Sequence, residues 1–253
     1  RECFKCRVRE SYGSTECGGI VSAGLFVGGL QWKLVSWEEY AVDDQPYPRG
    51  ELCVKRDDMM TGYYADPETT SEALDADGYY HTGDIVELNH THDGASIIDR
   101  KKNIFKLSQG EYVAPAKVEK LMVGFSPFVK QIFVYGDSFK SSLVAVVVPH
   151  KDVLMEHFLK HPSLQTTGTG TNGAAIAGGL PPFNVICTLP AAVELMISEF
   201  ARVGKSNNLR TFEIPAAVVL CPDEFTRESG LMTQSEKPAR HALLKHFKSE
   251  IEA

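Results

Sequence analysis

Several features are missing from this sequence, and each absence narrows what the chain can be. No apolar run approaches the roughly 20 residues needed to cross a bilayer, and the charged opening RECFKCRVRE contains no apolar signal core. There is no excess of positive charge: the net charge of -7 argues against a nucleic-acid binder, whose affinity requires a concentrated positive field. The six cysteines (Cys3, Cys6, Cys17, Cys53, Cys187, Cys221) follow no regular framework. In a chain of this length they read as reduced thiols, which predicts an intracellular compartment. No internal repeat is present. The first residue is Arg rather than Met, which predicts a chain that begins inside a larger protein.

What remains is an ordinary globular composition. With 253 residues, 43% hydrophobic and 23% charged, the chain can bury a real core in one large or two modest domains. Up to about Asp99, short apolar runs alternate with turn signals. GELCV (50–54), a turn near 75–78 and SIID (96–99) after the HDG turn at 92–94 have the rhythm of short β-strands. Beyond Asn103 the rhythm changes. Residues 116–122 fit a short helix, and QIFVYG (131–136) and LVAVVV (143–148) flank a polar turn and predict a hairpin. Residues 152–160 and 191–203 fit helices, and AAVVL (216–220) fits a buried strand. Leu244, Phe247 and Ile251 recur at helical spacing. The uncharged stretch TTGTGTNGAAIAGG (166–179) reads as a flexible surface insertion, with an interdomain linker as the alternative.

Three motifs carry residues suited to chemistry. In YGSTE (12–16), Tyr12 offers a flat face for a purine and Gly13 permits close backbone approach to a ligand. Thr15 offers a hydroxyl for a phosphate oxygen, and Glu16 a hard oxygen ligand for Mg2+. Taken alone, five residues of this kind are more often a plain turn. In HTGD (81–84), the carboxylate of Asp84 after a Thr-Gly turn can accept both hydroxyls of a ribose; a turn or helix-cap role is the simpler alternative. In IIDRKKNIFKLSQGEYVAP (97–115), a charged DRKK break separates two apolar runs, an arrangement suited to a hinge between two bodies. Arg100 there supplies a planar donor fork for ribose or phosphate oxygens. A solvated basic loop is the simpler alternative.

In this order and at these separations the motifs resemble the adenylate-forming superfamily of acyl-CoA synthetases, luciferases and peptide-synthetase adenylation domains. The wording is most similar to its long-chain fatty acyl-CoA synthetase branch. RGELCVK (49–55), TGYYADPETT (61–70), DGYYHTGD (77–84) and VYGDSFKSSLVAVVVP (134–149) add to the resemblance, which runs from about Cys3 to Pro149 and returns near Gly230.

The resemblance implies an α/β fold of mixed α+β character. Residues 1–100 would close a large AMP-binding domain with a β-rich subdomain, and residues 101–253 would form a small mobile lid with an insertion near 161–184. It implies that Tyr12 stacks on adenine, Thr15 contacts the AMP phosphate and Glu16 binds Mg2+. Asp84 would hold the ribose with help from Arg100, and Lys102 would be the hinge. Ser108, Gln109, Gly110, Glu111 and Tyr112 would line the approach of the CoA thiol. The family also has a lysine that reaches the reacting carboxylate and phosphate. Here it corresponds to Lys237 in GLMTQSEKPAR (230–240), where the long-chain branch usually reads closer to LTPTFKxKR.

Implied substrates are a fatty acid, ATP and CoA, with AMP and pyrophosphate as products. The family often works at membrane surfaces, so the expected location is cytoplasmic or peripheral on the cytoplasmic face of a membrane such as the endoplasmic reticulum. The oligomeric state is left open. The family's phosphate loop, rich in Ser, Thr and Gly and ending in Lys, should lie upstream of YGSTE, yet only eleven residues precede Tyr12. The expectation is therefore a ligase portion that does not complete adenylation efficiently alone. Three alternatives stand beside it: the adenylation part of a carboxylic acid reductase, a non-catalytic nucleotide-binding remnant, and a zinc module using Cys3 and Cys6 with His90 and His92.

Overall fold

Alternation along RGELCVK explains the first half of the molecule. Successive side chains of a strand point to opposite faces, so Leu52 and Val54 share one face while Glu51 and Cys53 share the other. All four are buried, which marks a central strand covered on both sides. The computed structural model describes Lys5, residues 9–161, Leu164 and residues 180–252. Cys3, Cys6 and most of the expected insertion lie outside the described residues. The chain divides into two units, Arg1–Ile104 and Phe105–Ala253.

The first unit begins with a meander of β1 (Ser11–Ser14), β2 (Gly18–Ser22) and β3 (Leu25–Phe26). A second antiparallel sheet follows in sequence order, from β4 (Gln31–Val35) and β5 (Arg49–Lys55) to β6 (Tyr80–Leu88) and β7 (Ala95–Arg100). Between β5 and β6 lies α1 (Pro67–Ala73), started by Pro67 in its first turn and by Asp66, whose side chain accepts from Thr69 N at 3.0 Å. Ile20, Val21, Leu52, Val54, Tyr80 and Val86 form the core, with Trp32 and Leu34 packed on it.

Gly13 is fixed by this packing. A Cβ there would sit 2.3 Å from the Gly18 carbonyl oxygen, which belongs to the paired strand and cannot move aside. The backbone that approaches Gly13 is thus its own neighbour. Gly13→Ala is expected to destabilise the chain by about 1–3 kcal/mol, read as a lower urea midpoint.

The second unit opens with a small ladder of β8 (Phe105–Lys106) and β9 (Tyr112–Val113), then α2 (Pro115–Phe125). Next come β10 (Val129–Tyr135), β11 (Val144–Pro149) and α3 (Lys151–Lys160), then α4 (Phe183–Ile186) and α5 (Pro190–Ser206). The chain ends in β12 (Ala217–Leu220), α6 (Arg240–His246) and α7 (Lys248–Glu252). The sheet order is β10-β11-β12, antiparallel then parallel. One face presents Val134, Ala145, Val147 and Val218 to Val118 and Met122 of α2 and to Met196, Phe200 and Val203 of α5. The other presents Phe133, Val146 and Val148 to Phe225, Leu231, Leu243 and Phe247. Burial on both faces is why β11 reads VAVVV without polar alternation.

The expected strands and helices form within a few residues of the positions read from the pattern, with one difference. The terminal helix is two short ones, because the backbone leaves helical geometry at Phe247, whose buried ring packs 5.9 Å from that of Phe225.

Candidate functional site

The site in the first unit is built by an irregularity in β6. Register pairs Glu51 with Ile85 and Cys53 with His81, so Leu52 alone faces Thr82, Gly83 and Asp84. This is a bulge inside a nine-residue strand, where the sequence suggested a turn after one. Gly83 has a φ of +69°, a left-handed conformation that glycine adopts at little cost and that lets the strand bulge without ending. Thr82 Oγ1 donates to the Leu52 carbonyl at 2.8 Å and accepts from Asp84 N at 3.1 Å, restoring bonds the ladder loses.

At the end of the bulge, Asp84 pairs directly with Arg100 of β7. Arg100 Nε donates to Asp84 Oδ1 at 3.2 Å, and Tyr12 of β1 donates its hydroxyl to Oδ2 at 2.5 Å. The Asp84 side chain is 7% exposed, whereas that of Arg100 is 61% exposed. The structure therefore brings Tyr12, Asp84 and Arg100 together, residues far apart in the sequence. Burial, then the adjacent Asp84 charge, pushes the Tyr12 hydroxyl well above its usual range, so it remains a donor at neutral pH.

Glu16 is half-buried in the turn after β1, and Tyr63 donates to its Oε1 at 3.1 Å. Burial works to raise this carboxyl, but hydrogen bonds from its own backbone, Ser14 and Tyr63, and the charge of Arg100, outweigh it and hold it below the usual range. It is an ionised hard-oxygen donor, the chemistry Mg2+ requires. Thr15 is exposed beside it.

Beneath Asp84 lies a group that the motif-based reading passed over. The Glu51 carboxylate, 4% exposed, accepts from Gly83 N at 3.2 Å and from Lys101 Nζ at 3.1 Å, with His81 Nδ1 at 2.9 Å. It thereby satisfies the N–H that the bulge orphans and ties Lys101 of DRKK to the sheet. The available signal was a glutamate inside an otherwise apolar strand, since a buried carboxylate requires partners. Glu51→Gln keeps an acceptor for Gly83 but strips Lys101 of its counter-charge, and is expected to cost about 1–3 kcal/mol by urea denaturation.

Several buried acids in this unit are neutral. Burial, then the Glu51 charge, pushes the Cys53 thiol up to about 12. Burial, then Glu16, pushes Tyr80 up to about 12. Groups raised in the folded state contribute stability below their unfolded pKa and lose it as pH rises toward the folded value. Stability is thus expected to fall from about pH 9 for Cys53 and about pH 10 for Tyr80 toward pH 12, by up to about 1.4 kcal/mol per pH unit for each group. Urea midpoints across that range measure it.

In the second unit, Ser108, Gln109, Gly110 and Glu111 lie in the β8–β9 loop and Tyr112 opens β9. Leu107 N donates to the Glu111 carbonyl at 2.8 Å, and Gly110 takes a φ of +95°. Ser108 N donates to the Lys140 carbonyl at 3.1 Å, and Gln109 Nε2 to that of Ser141 at 3.1 Å. Lys237 is exposed in a turn closed by Thr233 N donating to the Lys237 carbonyl at 2.8 Å and by Lys237 N donating to Thr233 Oγ1 at 3.1 Å. The neighbouring Glu236 carboxylate pairs with Arg227. Lys102 is exposed near the end of the first unit.

Of the residues considered for zinc, His90 and His92 are exposed in the turn between β6 and β7, closed by Asn89 N donating to the Gly94 carbonyl at 3.0 Å. Among the described residues no helix is long and apolar enough to cross a membrane.

Comparison with known proteins supplies the class: solved adenylation domains match the fold over nearly the whole chain. Over its whole length the chain is similar to long-chain acyl-CoA synthetases, and its structural neighbours are adenylation domains of the same superfamily. It is 40% identical to the peroxisomal long chain acyl-CoA synthetase 7 of Arabidopsis thaliana over 99% of its own length and 35% of that protein. It is 38% identical to long-chain-fatty-acid–CoA ligase 5 of Mus musculus over 100% of its length and 36% of that protein. The adenylation domain of a carboxylic acid reductase from Segniliparus rugosus, solved with AMP and a co-purified carboxylic acid, superposes with a TM-score of 0.78. That match has 33% identity and covers 96% of this chain and 34% of that one. The chain thus spans about a third of the length of the curated relatives it matches. No family model matches it.

Proposed function

We propose that the chain supplies the ribose grip, the hinge and the lid of a long-chain fatty acid–CoA ligase, and that it works within a longer protein carrying the phosphate loop and acyl tunnel. Asp84 accepts the two ribose hydroxyls of ATP, exchanging the Tyr12 and Arg100 donors for them. Tyr12 offers its ring to adenine, Thr15 its hydroxyl to the α-phosphate and Glu16 an oxygen to Mg2+. In the first half-reaction a fatty carboxylate oxygen attacks the α-phosphorus and the bond to pyrophosphate breaks, while the Lys237 ammonium balances developing charge. In the second, the CoA thiolate attacks the acyl-adenylate carbonyl along the loop of Ser108, Gln109, Gly110, Glu111 and Tyr112, and AMP leaves. Rotation of the backbone at Lys102 separates the two.

The observation that carries this reading is Asp84 held between Tyr12 and Arg100 on a bulged strand, in a chain aligned end to end with long-chain acyl-CoA synthetases. The test is a chimera in which the chain replaces the aligned third of such a synthetase. It is expected to form palmitoyl-CoA from palmitate, ATP and CoA. A folded chimera that forms no acyl-adenylate would defeat the proposal. A reductase-type adenylation part is the second reading, favoured by the structural match to the S. rugosus domain. Transfer of the acyl group to a phosphopantetheine carrier domain in preference to CoA would select it.

A further inference from the structure

We propose that Glu51, Cys53 and His81 form a binding site for one soft divalent cation of the zinc class, separate from the Mg2+ oxygen ligand at Glu16. The three residues come from two adjacent strands. Cys53 and His81 are direct cross-strand partners, and Glu51 lies two residues before Cys53, on the same face of β5. Their ligand atoms all lie within 4.8 Å of one another. His81 Nδ1 is 2.9 Å from Glu51 Oε2 and 3.4 Å from Cys53 Sγ. Zinc bonds of about 2.0 Å to nitrogen and oxygen and about 2.3 Å to sulfur put neighbouring donors of a tetrahedron roughly 3.3–3.8 Å apart. Bringing His81 Nδ1 to that spacing from its two neighbours takes movements of a few tenths of an ångström.

The surroundings are those of a ligand set. His81 Nε2 lies 3.8 Å from Asp75 Oδ2, placing a carboxylate behind the imidazole as outer partners of metal-bound histidines commonly are. Asp75 is itself held by Lys33 Nζ at 2.6 Å and Tyr79 N at 2.8 Å. Glu51 and Cys53 are buried, whereas the His81 side chain is 28% exposed, leaving one side for entry and for a water as fourth ligand. Thiolate and imidazole donors select a borderline or soft ion over Mg2+.

Binding is an exchange of cations. The Cys53 S–H bond breaks and its proton passes to solvent, while the Lys101 ammonium leaves Glu51 Oε2. One thiolate and one carboxylate then neutralise the ion, as Lys101 neutralises Glu51 without it. Lys101 is therefore a competitor, and its removal strengthens binding.

The experiment uses the 253-residue chain carrying Cys3→Ser and Cys6→Ser, so that the CxxC pair cannot capture the metal. Cobalt(II) is the spectroscopic probe and zinc the displacing ion. The expected result is one cobalt per chain with a near-ultraviolet thiolate-to-metal charge-transfer band, abolished by one equivalent of zinc. Cys53→Ser loses the band, His81→Gln weakens binding by at least about tenfold, and Lys101→Met tightens it. If Cys53→Ser does not fold, His81→Gln, at a partly exposed position, carries the test. Absence of the band, its survival in Cys53→Ser, or unchanged affinity in folded His81→Gln would overturn the proposal.

Discussion

Replacing Lys237 with Ala is expected to slow acyl-adenylate formation by roughly 10²–10³-fold, the scale seen when one preorganised group facing developing charge is removed, and to leave the thioester-forming half-reaction intact. The structure supplies the reason to expect a free ammonium. Lys237 sits in a turn fixed by two backbone contacts with Thr233 and by the bridge between Met232 and Pro238, so its position does not depend on its own side chain. The adjacent Glu236 would be its natural competitor, but that carboxylate is engaged by Arg227. Truncation at Lys237 removes a charge from an exposed turn and disturbs no core contact. The measurement is a single turnover of ATP and palmitate by the chimera, set beside thioester formation from synthetic palmitoyl-AMP and CoA. Equal loss in both half-reactions would assign Lys237 a structural role.

Asp84→Ala is expected to be at least as damaging, and in both half-reactions. Hydrogen bonds from two ribose hydroxyls to an ionised carboxylate are worth about 1.5–3 kcal/mol each. Their joint loss, about 3–6 kcal/mol, corresponds to roughly 10²–10⁴-fold weaker nucleotide-dependent turnover. The fold pays less, because Tyr12 and Arg100 lose an acceptor at the edge of the unit, where the Arg100 side chain is already 61% exposed. Asp84→Asn separates charge from shape, since it retains one acceptor oxygen and a similar volume. Its AMP affinity, by titration calorimetry on the chimera, should fall between those of Asp84 and Ala.

Much of the fold was legible because its elements obey local periods. GELCV, QIFVYG and LVAVVV announce strands through β-branched runs, and the helix at 191–203 announces itself through apolar spacing. Candidate residues were legible as a set of motifs, but their geometry was not. HTGD reads as a turn because Gly follows Thr; only pairing with β5 reveals a bulge, and pairing lies outside local sequence. The Asp84–Arg100 contact likewise follows from the register of β6 and β7, sixteen positions apart.

Glu51 was hidden for the same reason. Its partners Gly83 and Lys101 lie 32 and 50 positions away. Cys53 and His81, 28 positions apart, present none of the short spacing that made Cys3 and Cys6 conspicuous. Sequence spacing finds ligand pairs on one turn or loop, whereas a sheet assembles them across strands.

The central claim is that Asp84 grips the nucleotide of an enzyme that activates fatty carboxylates. Palmitate-dependent exchange of labelled pyrophosphate into ATP tests it most directly, measured on the chimera with and without Asp84→Ala. The account predicts exchange that requires the fatty acid and falls at least about 10²-fold in the variant. Palmitate-dependent exchange at an equal rate in Asp84→Ala, or no acid-dependent exchange by the folded chimera, would contradict it.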